Sequence, residues 1–246
     1  MGNLWLFDID GILVHLTGNP EKDPHLKAYR RDYKEVLGIE VPAGLIRSTY
    51  GMTETEMHRH ICSQTNIEMQ LKKRNMEYSD DIGSRLTNAH LLHFMEELEA
   101  LDSIEPLDGV IEFLTYLQKH QEYRGVVTGN LKKPAELILK RSGLMNLFSI
   151  LSCDDGNSSR TKILECAIYE AKNQKYDFSR VVVIDDTPKG IEAGKNLSEY
   201  VNTFTAGVAT GSATFEELER AKPDIVVPTL KNYQLILDAL KSEIPS

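Results

Sequence analysis

The chain is poor in the features that mark whole classes of protein. Its three cysteines, Cys62, Cys153 and Cys166, are odd in number and far apart. That gives neither a disulfide framework nor a zinc pattern, and fits a reducing compartment. No apolar run approaches the roughly 18 residues of a membrane span, and the first residues show no basic segment followed by an apolar one, so the expected location is the cytoplasm. Positive charge is in deficit, with 28 Lys+Arg against 37 Asp+Glu and a net charge of −9. Nucleic acid and anionic membrane, which need a basic surface, are thereby disfavoured as partners. An anionic ligand would need a locally positive site or a cation.

What is present is an ordinary globular composition, 41% apolar and 26% charged over 246 residues, enough for one large domain or one domain carrying an insert. "NLWLF" reads as a buried strand that stops at Asp8. From His15 to Glu99 the texture is charged and helical in period, with the surroundings of Pro20, Pro24 and Pro42 as loops. After "IEPLDG" helices and strands alternate to the end: "YRGVV", "FSILSCD", "RVVVIDD", "YVNTFTAG" and "DIVVP" as strands, with a helix before or after each. Such alternation predicts an α/β fold with a doubly wound, mostly parallel sheet. The expected division is a core of residues 1–15 and 100–246 with an all-helical insert of residues 16–99.

In such sheets ligands sit beyond the carboxyl ends of the strands. Polar groups stand at several of those ends: Asp8 and Asp10 in "FDIDG", Thr128 in "VVTGN", and Asp185 with Asp186 in "VVVIDDTP". Four converging carboxylates repel one another unless a cation sits among them, and an oxygen-only acidic cluster suits Mg²⁺. A phosphate brought to that metal needs donors. "TGN", read as a turn, offers the Thr128 hydroxyl and backbone N–H groups at Gly129 and Asn130, and "SRTK" offers Arg160 and Lys162 as rival cations. One aspartate could then act as nucleophile and its neighbour as general acid and base.

"FDIDGILV", "VVTGN", the "SRTK" region and "VVVIDDTPKGIEAGKN" resemble, in order, the four motifs of the haloacid dehalogenase superfamily. The likeness spans nearly the whole chain and extends to phosphoglycolate phosphatase-like members through "STYGMTETEMHRHI" and "TAGVATGSATFEELERAKPDIVV". It implies a Rossmann-like core with a helical cap and a Mg²⁺-dependent phosphatase acting on a small phosphorylated metabolite. It further implies Asp8 as nucleophile and metal ligand, and Asp10 as acid/base with its carbonyl on the metal. Thr128 would bind the phosphoryl group and Asp186 the Mg²⁺. Asp185 stands where many members have glycine and Gly190 where they have a second aspartate, as in β-phosphoglucomutase-like members, so Asp185 and Asp186 could share the metal. A phosphomutase is the alternative within the enzyme class, and a non-catalytic binding module on the same fold the alternative outside it.

Weaker signals are read blandly. His58, His60 and Cys62 point to different helix faces and disfavour zinc. His90 and His93 read as a half-buried helix face, Asp154 and Asp155 as a loop, and the charged helices of the insert as solvated. Arg47, Thr53 and Arg59 are kept as possible substrate contacts from the cap.

Overall fold

The computed structural model describes residues 2–16, 22–156 and 158–242. The segment around Pro20 falls outside them. The chain opens on strand β1 (Gly2–Phe7) and passes into five helices: α1 (Pro24–Leu37), α2 (Ala43–Arg47), α3 (Glu54–Cys62), α4 (Thr65–Lys72) and α5 (Asp80–Glu99). It then alternates through α6 (Val110–Lys119), β2 (Tyr123–Leu131), α7 (Lys132–Arg141), β3 (Ile150–Asp154), α8 (Arg160–Asn173), β4 (Phe178–Asp185) and α9 (Pro188–Asn196). It ends with β5 (Thr203–Val208), α10 (Phe215–Arg220), β6 (Ile225–Val227) and α11 (Tyr233–Ser242). No helix among the described residues is long and apolar enough to cross a membrane.

The strands form one sheet in the order β3-β2-β1-β4-β5-β6, and every pairing is parallel. Successive side chains of a strand point to opposite faces, and β1 shows it. Trp5 and Phe7 pack among Phe113 and Leu117 of α6 and Ile138 of α7, while Leu4 and Leu6 pack on the other face with Ile163 and Ala167 of α8 and Ala193 of α9. Apolar strands with both faces covered bury a parallel sheet completely. The order reverses at β1, which lies between β2 and β4, so the crevice of a doubly wound sheet opens at its carboxyl end.

The helices α1 to α5 carry a core of their own, including Leu26, Tyr33, Ile46, Ile61 and Leu86, separate from the two that flank the sheet. Its connections to the sheet run side by side, with Val14 bridged to Pro106 and Leu107 N donating to Leu13 O at 2.9 Å. Pro24 is no loop residue: it occupies the first turn of α1, capped by Asp23, where its missing N–H costs nothing.

The helical segment also corrects the reading of its charges as solvated. His90 and His93 are buried, at 1% and 5% exposure, because Asp32, itself fully buried, bridges them. Its Oδ2 pairs with His90 Nδ1 at 2.8 Å and its Oδ1 with His93 Nδ1 at 2.5 Å. His90 Nε2 then lies 3.6 Å from Glu54 Oε1, and His58 Nε2 3.4 Å from Glu54 Oε2. Burial pushes the Glu54 carboxyl up, but His90, His58 and the Tyr29 hydroxyl outweigh it and bring it from 4.5 down to about 2. A lowered carboxyl pKa stabilises the fold above the unfolded value, and that contribution is lost as pH falls through the folded one. Wild-type protein is therefore expected to lose on the order of 3 kcal/mol from this group between pH 4.5 and about 2. Urea unfolding across that range should show a flatter pH dependence for Glu54→Gln; equal slopes would show that the group does not carry it.

Candidate active site

Parallel register brings the acidic residues together. Phe7 is paired with Ile184 and Asp8 N donates to Ile184 O at 3.0 Å, so the residues that follow, Asp8 and Asp185, emerge side by side. Asp8, Asp185 and Asp186 are all buried, and one carboxylate oxygen from each lies within 4.8 Å of the others. Burial pushes Asp8 up to about 7; Arg160 pulls against that, and Asp185 and Asp10 add to it. Asp186 is likewise pushed well up by burial and by Asp185 and Asp8. Crowded carboxylates of this kind hold protons or a cation.

Two features fit a cation. Asp186 Oδ2 accepts from Ser212 N at 2.7 Å, but its Oδ1 is buried with no hydrogen-bond partner. Gly11, at φ +79°, and Gly211 close over Asp186, and a Cβ at either would run into its carboxylate. An oxygen-only cluster with an unpartnered, fixed oxygen has the donor chemistry of a Mg²⁺ site. Asp185 is more occupied: its Oδ1 accepts from Thr187 N at 2.9 Å and Thr187 Oγ1 at 2.7 Å, and its Oδ2 from Arg160. Thr187 caps α9 through Gly190 N, with Pro188 in the first turn.

Asp10 stands apart from these three. Its Oδ2 accepts from Asn130 Nδ2 at 2.6 Å and lies 3.6 Å from His25 Nε2. Burial pushes Asp10 up and His25 down, but their pairing wins in both, lowering Asp10 and raising His25. His25, on the first turn of α1, was read only as part of a charged helix; nothing in "DPHL" marks a partner 15 residues upstream.

The rival cations separate. Arg160, 8% exposed, sits 3.3 Å from Asp8 and bonds Asp185, whereas Lys162 is on the surface with its Nζ on Glu165 at 3.1 Å. Both begin α8, and two residues along a helix turn a side chain to a different face. "TGN" is not a turn. β2 continues through it to Leu131, with an irregularity against β3 between Thr128 and Leu131. The Asn130 N–H is not free either, since it donates to Thr128 Oγ1 at 3.1 Å.

Above the acids lies a cavity of about 620 Å³. Asp8, Asp10, Thr128, Gly129, Asn130, Arg160 and Asp186 form its floor, and Arg47, Tyr29, Tyr50, Met57 and Glu54 from the helical segment are among the residues of its roof. Arg59 lines a neighbouring cavity instead. Thr53 does not line the cavity; it is fully buried at the start of α3, where its N–H donates to Glu56 at 3.0 Å. Asp154 is no loop residue. It ends β3, buried, and its Oδ2 accepts from Glu54 N at 2.9 Å while its Oδ1 accepts from Gly156 N at 2.9 Å. Sheet and helical segment thus meet through a carboxylate on the N-terminus of α3. They meet again where Gly51 faces Thr187, leaving no room for a side chain, and where Gly129 comes so near Met52 O that a Cβ would press against it.

A profile of the haloacid dehalogenase-like hydrolases matches residues 5–203. The chain belongs to the haloacid dehalogenase-like hydrolases. Solved structures share the fold of this hydrolase. A hydrolase from Pseudomonas syringae is 21% identical with a TM-score of 0.71, covering 99% of both chains. A β-phosphoglucomutase from Clostridium difficile is 20% identical with a TM-score of 0.73, again over 99% of both. A structure described as a predicted phosphoglycolate phosphatase from Haemophilus somnus is 16% identical with a TM-score of 0.71, over 95% of this chain and 97% of that one.

An aspartate at 185 and a glycine at 190 are sterically linked in this hydrolase. A Cβ on Gly190 would overlap the Asp185 carboxylate. Gly190→Ala is expected to lower stability by about 2 kcal/mol or more, as overpacking of a buried site does. Thermal melts should show it largely restored in Asp185→Gly/Gly190→Ala; equal losses in both would exclude the clash as cause.

Proposed function

We propose that this hydrolase is a Mg²⁺-dependent phosphatase that cleaves a small phosphorylated metabolite through an aspartyl-phosphate, with the helical segment as a cap over the site. The observation that carries the reading is the cluster of Asp8, Asp185 and Asp186 with Arg160 among them, under a cavity the size of a small metabolite. The three unpaired cysteines support a cytoplasmic setting.

Asp8 is the nucleophile: its oxygen bonds to phosphorus as the bond to the leaving oxygen breaks. Asp10 gives that oxygen a proton and afterwards takes one from the water that attacks the aspartyl-phosphate, freeing phosphate and restoring Asp8. Asn130 and His25 hold Asp10 in position for both transfers. Arg160 and Thr128 receive the phosphoryl oxygens, Arg160 by charge and Thr128 by its hydroxyl. Asp8 and Asp186, with Asp185 beside them and the Asp10 carbonyl, would hold Mg²⁺, which when bound supplies positive charge against the repulsion between an anionic nucleophile and an anionic ester. Gly129 and Asn130 line the phosphate end, and Arg47 the leaving-group end.

Phosphate release from a panel of monoesters, with Mg²⁺ and with chelator, tests this. Asp8→Asn should lower turnover at least about a thousandfold, on the order of 4 kcal/mol of barrier, and Arg160→Met should lower it far more than Lys162→Met. Full activity in Asp8→Asn would remove the nucleophile. Turnover that appears only with a bisphosphate primer would replace the phosphatase by a phosphomutase.

A further inference from the structure

The proposed reaction makes no use of the ionisable line that crosses the helical segment. It runs from Glu54 through His90, Asp32 and His93 to Glu35 on the surface, where His93 Nε2 and Glu35 Oε2 are 3.1 Å apart. Its inner end is the roof of the cavity, and what it achieves there is to keep a buried carboxylate in place behind Tyr29. A buried carboxylate is costly without compensation, so its presence in a roof that could have been apolar calls for a use.

The hydrogen-bond directions on that roof are fixed. Tyr29 donates its hydroxyl proton to Glu54 Oε1 at 2.5 Å, and Tyr50 donates its own to Asp23 Oδ2 at 2.5 Å. A phenol has one proton, so each tyrosine oxygen has only lone pairs left for the cavity that both residues line. Asp23 Oδ1 is taken by His25 N at 2.9 Å, and the His25 ring is paired with Asp10. Among the described residues, Arg47 brings one guanidinium to this roof against the two carboxylates of Asp23 and Glu54, and it has interactions within the protein. Around Tyr29 and Tyr50 the surface is one of acceptors and aromatic faces.

We propose that the leaving group of the substrate is rich in hydrogen-bond donors and carries no second negative charge, its hydroxyls or ammonium being received by Tyr29 and Tyr50 with Glu54 and Asp23 behind them. This rests on the phosphatase reading and specifies it. A donor-bearing group finds acceptors on arrival, and an ammonium also finds the faces of Tyr29 and Tyr50. A second carboxylate or phosphate meets lone pairs with the Glu54 and Asp23 carboxylates behind them, and a mismatch of that kind discriminates against the wrong substrate.

The test compares kcat/KM for the phosphate esters of ethanolamine, glycerol and glycolate, of similar size and charged +, 0 and − on the leaving group, beside p-nitrophenyl phosphate. The ethanolamine and glycerol esters should exceed the glycolate ester by about tenfold or more. Glu54→Gln has an amide that can donate to Tyr29 and turn its proton toward the cavity; Tyr50→Phe removes the second acceptor. Each should shrink that ratio by about fivefold. Because the ratio is taken within one variant, a general loss of active protein leaves it unmoved. A glycolate ester that is equal or preferred, or a ratio unchanged in both variants, overturns the inference. If p-nitrophenyl phosphate is still hydrolysed in that case, the phosphatase reading stands without it; no hydrolysis of any ester with Mg²⁺ overturns both.

Discussion

Three carboxylates held within a few ångströms of one another at the ends of two neighbouring strands are the condition to which the rest of the site answers. Parallel pairing of β1 with β4 leaves Asp8 and Asp185 no choice but to emerge together, and Asp186 follows by one residue. One guanidinium, that of Arg160, is built into the cluster at the first turn of α8, and it cannot balance three charges. The surroundings are shaped to keep the acids where they are. Ser212 fixes one oxygen of Asp186, Thr187 fixes one of Asp185, and glycines at 11, 190 and 211 give up their side chains to leave the carboxylates room. Such an arrangement stores electrostatic repulsion of the kind that protons or a divalent cation relieve.

The helical segment answers the same condition from above. It has its own apolar core, so it stands as a packed unit, and it touches the sheet where residues 51 to 55 settle on Thr187, Gly129 and Asp154. Those contacts hold the helical segment over the acids and leave the cavity between them. Partial cover of this kind lowers the effective dielectric around the acids and strengthens the interactions there. Asp154 ties the two parts together by capping α3, and the residue it caps, Glu54, is the same one whose side chain ends the buried histidine line. Contact with the core and the chemistry of the roof are thus joined in one residue.

Much of this was readable from residues alone. Alternation of apolar runs with helical periods gave a doubly wound sheet, and each strand expected after "IEPLDG" is present. Asp8, Asp10, Asp185 and Asp186 stand at or just beyond strand ends because a buried parallel strand has nowhere else to carry such groups, whereas Thr128 lies inside β2, which runs on to Leu131. Reading failed where a side chain's partner is distant in the chain. His25 finds Asp10, His90 and His93 find Asp32, and Asp154 finds Glu54 N 100 residues away, and none of these pairs leaves a local pattern. Thr53 was credited with a reach it does not have because its place at the start of a helix turns it inward.

The sequence by itself determined the alternation of strands and helices in the core, their order and the acids that follow β1 and end β4, since periodicity and burial are properties of neighbours along the chain. Tertiary structure decided between Arg160 and Lys162, by rotating one toward Asp8 and the other into solvent. It also decided which charged residues of the helices are buried and which way the tyrosine protons of the roof point. Those are questions of distance and direction between segments, and only packing brings the segments close enough for charge and hydrogen bonding to answer them.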